Sequence, residues 1–216
     1  TFNDSNEKIT LRYDLSSPLS RFVAQNYREL SFPYKRYAIG NVWRNEKSGN
    51  ARYREFTQAD VDIIGNVNKG QADAEICNII SDTLKKSGLS ETQFKVNISN
   101  RKIVQGLISE LKITDKTQEL KVIRAIDKLG RIGLKGVEDL LKKERVDTSG
   151  AITKGANLSD NQASEILKFI QIKNLKDLKS ILKNPLSVEG IKETEDLLEI
   201  VSYGKYTKLI QPNFTI

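Results

Sequence analysis

Two strand-like stretches of similar length, "YKRYAIGNVWR" (34–44) and "YREFTQADVDIIG" (53–65), stand on either side of the short loop "NEKSGNA". No other feature of the chain constrains the fold as much. The Ser-Gly-Asn core of the loop is turn chemistry, so the stretches predict an antiparallel hairpin. Alternate residues of a strand share a face. Even positions of the second stretch read Arg52, Arg54, Phe56, Gln58, Asp60 and Asp62. Odd positions read Tyr53, Glu55, Thr57, Ala59, Val61 and Ile63, turning increasingly apolar. The even face is therefore graded: cationic at the turn, then aromatic, amide and anionic. On the preceding strand Arg44 and Glu46 sit beside the turn, while Ala38 and Gly40 leave low relief.

Such a face fits a ligand with a polyphosphate at one end, a flat ring in the middle and an ammonium group nearby. Arginine forks match phosphate oxygens in bidentate fashion. The bland alternative is a solvated hairpin tip laced by salt bridges, with Asp60 and Asp62 merely ending a strand or capping a turn. The gradient, the small residues opposite and the aromatic between the charges favour a binding face.

Around the hairpin the first hundred residues mix strand and helix. "KITLRYDL" (8–15) alternates like a strand, and "SPLSRFVAQNYREL" (17–30) follows as a helix with Ser17 as N-cap and Pro18 at its first position. "KGQADAEICNIISDTLKKSGL" reads as an amphipathic helix with Cys77 on its apolar face, and "QFKVNIS" returns as a strand. After residue 100 the texture changes to helix-period segments separated by Gly, Pro, Ser, Asn or Asp, with many lysines and few aromatics. No fixed repeat length emerges, which argues against a solenoid. The expected division is an α/β part over 1–100, a basic all-helical module over 101–204, and a strand in 205–216 that returns to the first part.

Composition narrows the chemistry. The 216 residues contain no histidine, no methionine and one cysteine. That removes histidine bases and makes a structural zinc site or a disulfide framework unexpected. No apolar run approaches the roughly 18 residues of a membrane span, and a cytoplasmic protein without membrane association is expected. The net charge of +7 favours a polyanionic partner, though weakly. Without methionine, and with a strand-like final alternation, the chain reads as a fragment of a longer protein.

At this point the residues resemble a family. "VWRNEKSGNARYREF" looks like motif 2 of the class II aminoacyl-tRNA synthetases. "TLRYDLSSPLSRFVAQN" before it and "TQADVDIIG" after it are similar to the histidyl-tRNA synthetases, and "VIRAIDKLGRIGLKGVEDLL" with "ITKGANLSDNQ" resembles the insertion of their longer bacterial form. The resemblance covers essentially the whole chain. It implies an α+β fold: part of the class II antiparallel sheet with flanking helices, plus a helical insertion.

The same resemblance implies roles. Arg44 should contact the α-phosphate of ATP and the substrate carboxylate, and is the residue expected to be catalytic. Glu46 should hold the adenine amino edge, Arg52 the γ-phosphate, and Phe56 should stack on adenine. Asp14, Ser16, Gln58 and Asp62 should line a histidine pocket, with Asp14 and Gln58 facing the ammonium group. Lys47, Asn50 and Arg54 should approach the acceptor end of tRNA(His). ATP with Mg2+ would activate histidine to the adenylate, and the tRNA would then take the acyl group. No protein metal ligand and no DNA contact are expected; a homodimer is expected of the full-length protein. A dimer-forming motif before Thr1, and further ATP contacts and an anticodon-binding domain after Ile216, would complete the machinery, so the fragment alone is expected to be inactive. The alternative is the synthetase-like regulatory subunit of ATP phosphoribosyltransferase, which senses histidine and does not charge tRNA.

Overall fold

The computed structural model describes residues 2–45, 49, 52–146, 150 and 152–215. Close contacts divide the chain into two units, 1–72 and 73–216. The helix that carries the boundary begins in the first unit and continues in the second.

In the first unit, β1 (Phe2–Asp4) pairs antiparallel with β2 (Glu7–Ile9), and α1 (Ser16–Asn26) follows. The long stretches form β3 (Tyr34–Trp43) and β4 (Glu55–Ile64), antiparallel over ten residue pairs from Tyr34↔Ile64 to Trp43↔Glu55. Even positions of both strands are the more covered, while Tyr37, Ile39 and Val61 on the odd face are exposed. The increasingly apolar odd face is thus not the buried one within this unit. Leu15 and Leu19 of the α1 region and Val42 of β3 are buried.

Two local expectations change. Only Glu7–Ile9 of the predicted strand 8–15 joins a ladder. The segment after it instead bonds to β3, where Trp43 N–H donates to the Arg12 carbonyl at 3.0 Å. Nor does Ser17 cap α1. Its own N–H donates to Asp14 Oδ1 at 2.9 Å, so the carboxylate three residues upstream satisfies the helix start.

In the second unit, α2 (Lys69–Lys86) is followed by β5 (Val96–Ile98), then α3 (Arg101–Glu110), α4 (Lys116–Asp127) and α5 (Leu129–Lys142), which bends at Gly133. A two-residue antiparallel pair, β6 (Arg145–Val146) and β7 (Ile152–Thr153), interrupts the expected run of helices. Then come α6 (Asp160–Phe169), α7 (Leu175–Ile181), α8 (Pro185–Ser202) and β8 (Ile210–Pro212). β8 pairs with β5, parallel rather than antiparallel. Within this unit the last strand therefore lies beside Val96–Ile98 and occupies only three of positions 205–216.

Two apolar cores form here. One is built by α3 to α8, with Ile103, Val122, Leu141, Ile166 and Phe169 fully buried, and also takes in Phe214. The other joins Ala74 and Cys77 of α2 to Val96, Leu197, Val201 and Ile210. Cys77 is a core residue, and burial pushes its thiol above the usual range. Side-chain caps start most of the helices: Asn100, Asp115, Ser159, Asn174 and Asn184 each accept a backbone N–H, and Ser159 with Gln162 completes a capping box.

Candidate functional site

The even face of the hairpin, with the segment from Arg12 to Ser16 lying against it, gathers most of the candidate residues. Arg44 follows the last residue of β3, and its N–H donates to the Arg54 carbonyl at 2.8 Å, extending the ladder toward the turn. Its guanidinium lies between two rings, 4.6 Å from the Tyr13 centroid and 5.1 Å from that of Phe56. Nε donates to the Tyr13 carbonyl at 3.2 Å, and Nη2 donates to Gln58 Oε1 at 3.0 Å. Rings, a carbonyl and an amide hold the group in place, and none of them carries a negative charge. Among the described residues these partners orient the cation without neutralising it, and the Asp14 carboxylate lies close enough to feel its charge. An oriented cation is what a site needs if it is to stabilise charge developing on a bound anion.

Gln58 is fixed from both ends. Its oxygen accepts from Arg44, and its Nε2 donates to Asp60 Oδ1 at 2.7 Å. The amide so relays contact from the cationic to the anionic end of the face. Its oxygen reaches an ammonium group only while sharing with Arg44.

Asp14 is held below its usual carboxylate range, first by the Ser17 N–H, with further help from Ser16 and from the Arg44 charge. It is therefore ionised at neutral pH, with one oxygen engaged at the helix start. Ser16 is the first residue of α1, and its carbonyl accepts from Ser20 Oγ at 3.0 Å. Asp62 lies directly opposite Arg36 in the register, and the two form an ion pair at 2.9 Å. Arg52 and Arg54 are exposed at the turn end, where Arg52 forms an isolated backbone bridge with Gly49. Glu46, Lys47 and Asn50 lie outside the described residues.

Two arginines on this face escaped the sequence reading. Arg12 lies over Gly40: a Cβ there would meet Arg12 Nη2 at 2.5 Å. Arg12 Nε also donates to the Asn41 carbonyl at 2.7 Å. The low relief at Gly40 thus accommodates a guanidinium of the same chain rather than a ligand. Arg36 was legible only through the strand register.

A second charged surface lies within the helical unit. Lys121 and Arg124 of α4 and its C-cap Lys128 follow i, i+3, i+7 spacing. Gln118, one turn earlier, donates to the Ala156 carbonyl at 2.9 Å, and Ala156 N–H donates to the Leu140 carbonyl at 2.8 Å. These bonds bring the chain after β7 back against α4 and α5. Two clefts result. One, of about 200 Å3, is lined by Lys121, Arg124, Lys128 and Lys154; the other, of about 320 Å3, by Lys121, Lys143, Lys154 and Glu144. Among the described residues none of these five cations forms an ion pair, whereas Lys116, Lys135, Lys142, Lys168 and Lys179 are each bridged to a carboxylate. Five cations lining two adjoining clefts, with Glu144 as the one carboxylate among the cleft-lining residues, suit a polyanion.

Among the described residues no group of three or more His, Cys, Asp or Glu side chains is placed to hold a metal ion, and no helix is long and apolar enough to cross a membrane.

Comparison with known proteins gives the family. Residues 2–149 match the family model described as "Histidyl-tRNA synthetase". The histidine–tRNA ligase of Pelagibacter ubique is 67% identical over 218 residues, covering 100% of this chain and 47% of that protein. The histidine–tRNA ligase of Ruegeria pomeroyi is 40% identical over 205 residues, covering 92% of this chain and 41% of that protein. The chain therefore spans about half the length of the curated relatives it matches. Among solved structures, histidyl-tRNA synthetase from Nostoc sp. PCC 7120 superposes with a TM-score of 0.77 at 25% identity, over 97% of this chain and 47% of that one. An ATP phosphoribosyltransferase regulatory subunit/histidyl-tRNA synthetase from Bacillus halodurans gives 0.72 at 20% identity, over 95% and 49%. At that identity the last likeness speaks to fold alone.

Proposed function

The chain belongs to the histidyl-tRNA synthetase family, and we propose that it supplies part of the active site of a cytoplasmic histidine–tRNA ligase. In the first step the histidine carboxylate attacks the α-phosphorus of ATP, and pyrophosphate leaves with the electrons of the broken bond. In the second, the 3′-terminal hydroxyl of tRNA(His) attacks the adenylate carbonyl, and AMP leaves. Positioning and charge neutralisation do most of this work, with no side-chain nucleophile. Mg2+ would come on the nucleotide phosphates, supplying charge neutralisation there, as fits an ion that favours substrate phosphates over all-protein cages.

The observation that carries this reading is Arg44, whose guanidinium two rings, a carbonyl and an amide hold in place and so present to the α-phosphate. Arg52 at the turn end reaches for the γ-phosphate, and Glu46 for the adenine edge. Phe56 already backs Arg44 with one ring surface; adenine would stack on what the guanidinium leaves open. Asp14, Ser16, Gln58 and Asp62 receive the amino acid, while Lys47, Asn50 and Arg54 meet the tRNA acceptor end. The full-length protein works as a homodimer.

The test is histidine-dependent ATP–pyrophosphate exchange by the complete product of the reading frame that carries this chain. Exchange supports the ligase. Histidine binding without exchange would favour the regulatory reading, for which the Bacillus halodurans likeness offers only fold-level support.

Residues 101–204 form the inserted module of this enzyme. One of the two cores lies within this span except for Phe214. A polypeptide of 101–204 alone is expected to be helical and to melt cooperatively. A disordered circular dichroism spectrum would show that it depends on the rest of the chain.

The paired basic clefts give this module its role: they take RNA backbone phosphates. Replacing Lys121 and Lys154 together by glutamate should weaken tRNA(His) binding about tenfold near physiological salt and flatten the salt dependence by roughly one unit of slope per lost phosphate contact. Unchanged affinity in a filter-binding titration across salt would assign these lysines to solvent.

A further inference from the structure

Arg36 has no part in the reading above, yet it stands at the anionic end of the hairpin face. The register sets it directly across from Asp62, with Nη2 2.9 Å from Oδ2. The same Nη2 donates to the Leu15 carbonyl at 3.0 Å. One guanidinium therefore ties β4, through Asp62, to the turn that carries Asp14 and Ser16.

The two side chains are only 16% and 23% exposed. A carboxylate so far removed from water is costly to leave unpaired. The contact is close, but it is not aligned as a hydrogen bond. Among the described residues Arg36 Nε and Asp62 Oδ2 are both buried without a hydrogen-bond partner. Native interiors leave few such atoms. An orphaned donor and an orphaned acceptor thus lie together at the amino-acid end of the face. The ion pair fixes the Asp62 carboxylate with Oδ2 buried against Arg36, so the other carboxylate oxygen is the one left to a ligand N–H.

We propose that Arg36 is a positioning residue for amino-acid binding. It holds the Asp62 carboxylate by Oδ2 so that Oδ1 accepts a hydrogen bond from an N–H of the bound amino acid, and it locks the Asp14–Ser16 turn at the matching distance. This rests on the ligase reading. Arg36 touches neither the nucleotide nor the reacting atoms, so its removal acts on one substrate only.

The experiment is pyrophosphate exchange by the complete product of the reading frame, titrating histidine and ATP separately. Arg36→Leu should raise the histidine KM about tenfold, the scale of a lost charge-assisted contact, with kcat and the ATP KM within about twofold. Arg36→Lys keeps the charge but not the fork, and should raise the histidine KM only about threefold. Arg36→Leu combined with Asp62→Asn should be little worse than the more impaired single variant, since the two act as a unit. A histidine KM unmoved by Arg36→Leu overturns the proposal, as does a parallel decline of kcat and both KM values, the mark of a merely structural residue. Should Arg36→Leu fail to fold, Arg36→Lys decides alone: a histidine KM equal to that of the parent overturns it. Absence of exchange in the unsubstituted protein would instead sink the ligase reading, and this proposal with it.

Discussion

In the complete protein that carries this chain, and on the ligase reading proposed for it, replacing Arg44 by alanine should lower the maximal rate of adenylate formation by on the order of a hundredfold while leaving histidine binding comparatively intact. The guanidinium is preoriented by Tyr13, Phe56 and Gln58, so it reaches the transition state without reorganisation. Removing one well-placed charged donor of this kind typically costs roughly 3 kcal/mol of transition-state stabilisation. The loss falls on kcat because charge on the α-phosphate group grows as the carboxylate attacks. Asp62→Ala gives the contrast: it removes ground-state binding and should mainly raise the histidine KM. Pyrophosphate exchange across a histidine titration, on variants shown to be folded, separates the two. A near-normal maximal rate for Arg44→Ala would reduce the arginines at this turn to decoration on a solvated hairpin.

How much of this was legible in the sequence depends on the range of the interaction concerned. The hairpin was legible because period-two alternation and a Ser-Gly-Asn turn are local signals, and β3 and β4 fall within the stretches that carry them. Cys77 was placed in the core by its position on an amphipathic helix. The start of α1 was misread because Asp14, Ser16 and Ser17 are all good capping types within one turn, and only the geometry selects Asp14. The strand expected over 8–15 alternates well enough, but its later half bonds to β3 through the Arg12 carbonyl, a non-local choice.

Arg36 shows the limit most clearly. Its partner Asp62 is 26 residues away, and a shift of the hairpin by one residue would put the two on opposite faces. Arg12 is similar: Gly40 signals that something approaches closely, without saying whether it is a ligand or the chain itself. The α4 half of the basic clefts is written in the spacing of Lys121, Arg124 and Lys128. Lys143 comes from the end of α5, and Lys154 joins only because the chain after β7 folds back.

Gly106→Ala should destabilise the helical unit by about 3 kcal/mol, the upper part of the range for forcing atoms into a filled interface. α3 and α8 approach so closely that a Cβ at Gly106 would stand 2.0 Å from Ser187 Oγ and 2.6 Å from its backbone nitrogen. A serine hydroxyl alone could rotate away, but a backbone nitrogen near the start of α8 moves only with the helix. α8 presents small residues to this approach: Ser187, Gly190 and Thr194 are buried at three- and four-residue spacing. Ser187 is itself bonded across the interface, its Oγ donating to the Ile103 carbonyl at 3.0 Å. Ser187→Ala should therefore cost only about 1 kcal/mol, the usual worth of one such bond. Ser187→Gly in the Gly106→Ala background should recover little, because the clash with the backbone nitrogen remains. Urea unfolding followed by circular dichroism orders the variants. If Gly106→Ala unfolds at the same denaturant concentration as the parent, the two helices do not pack at the distance that defines this half of the protein.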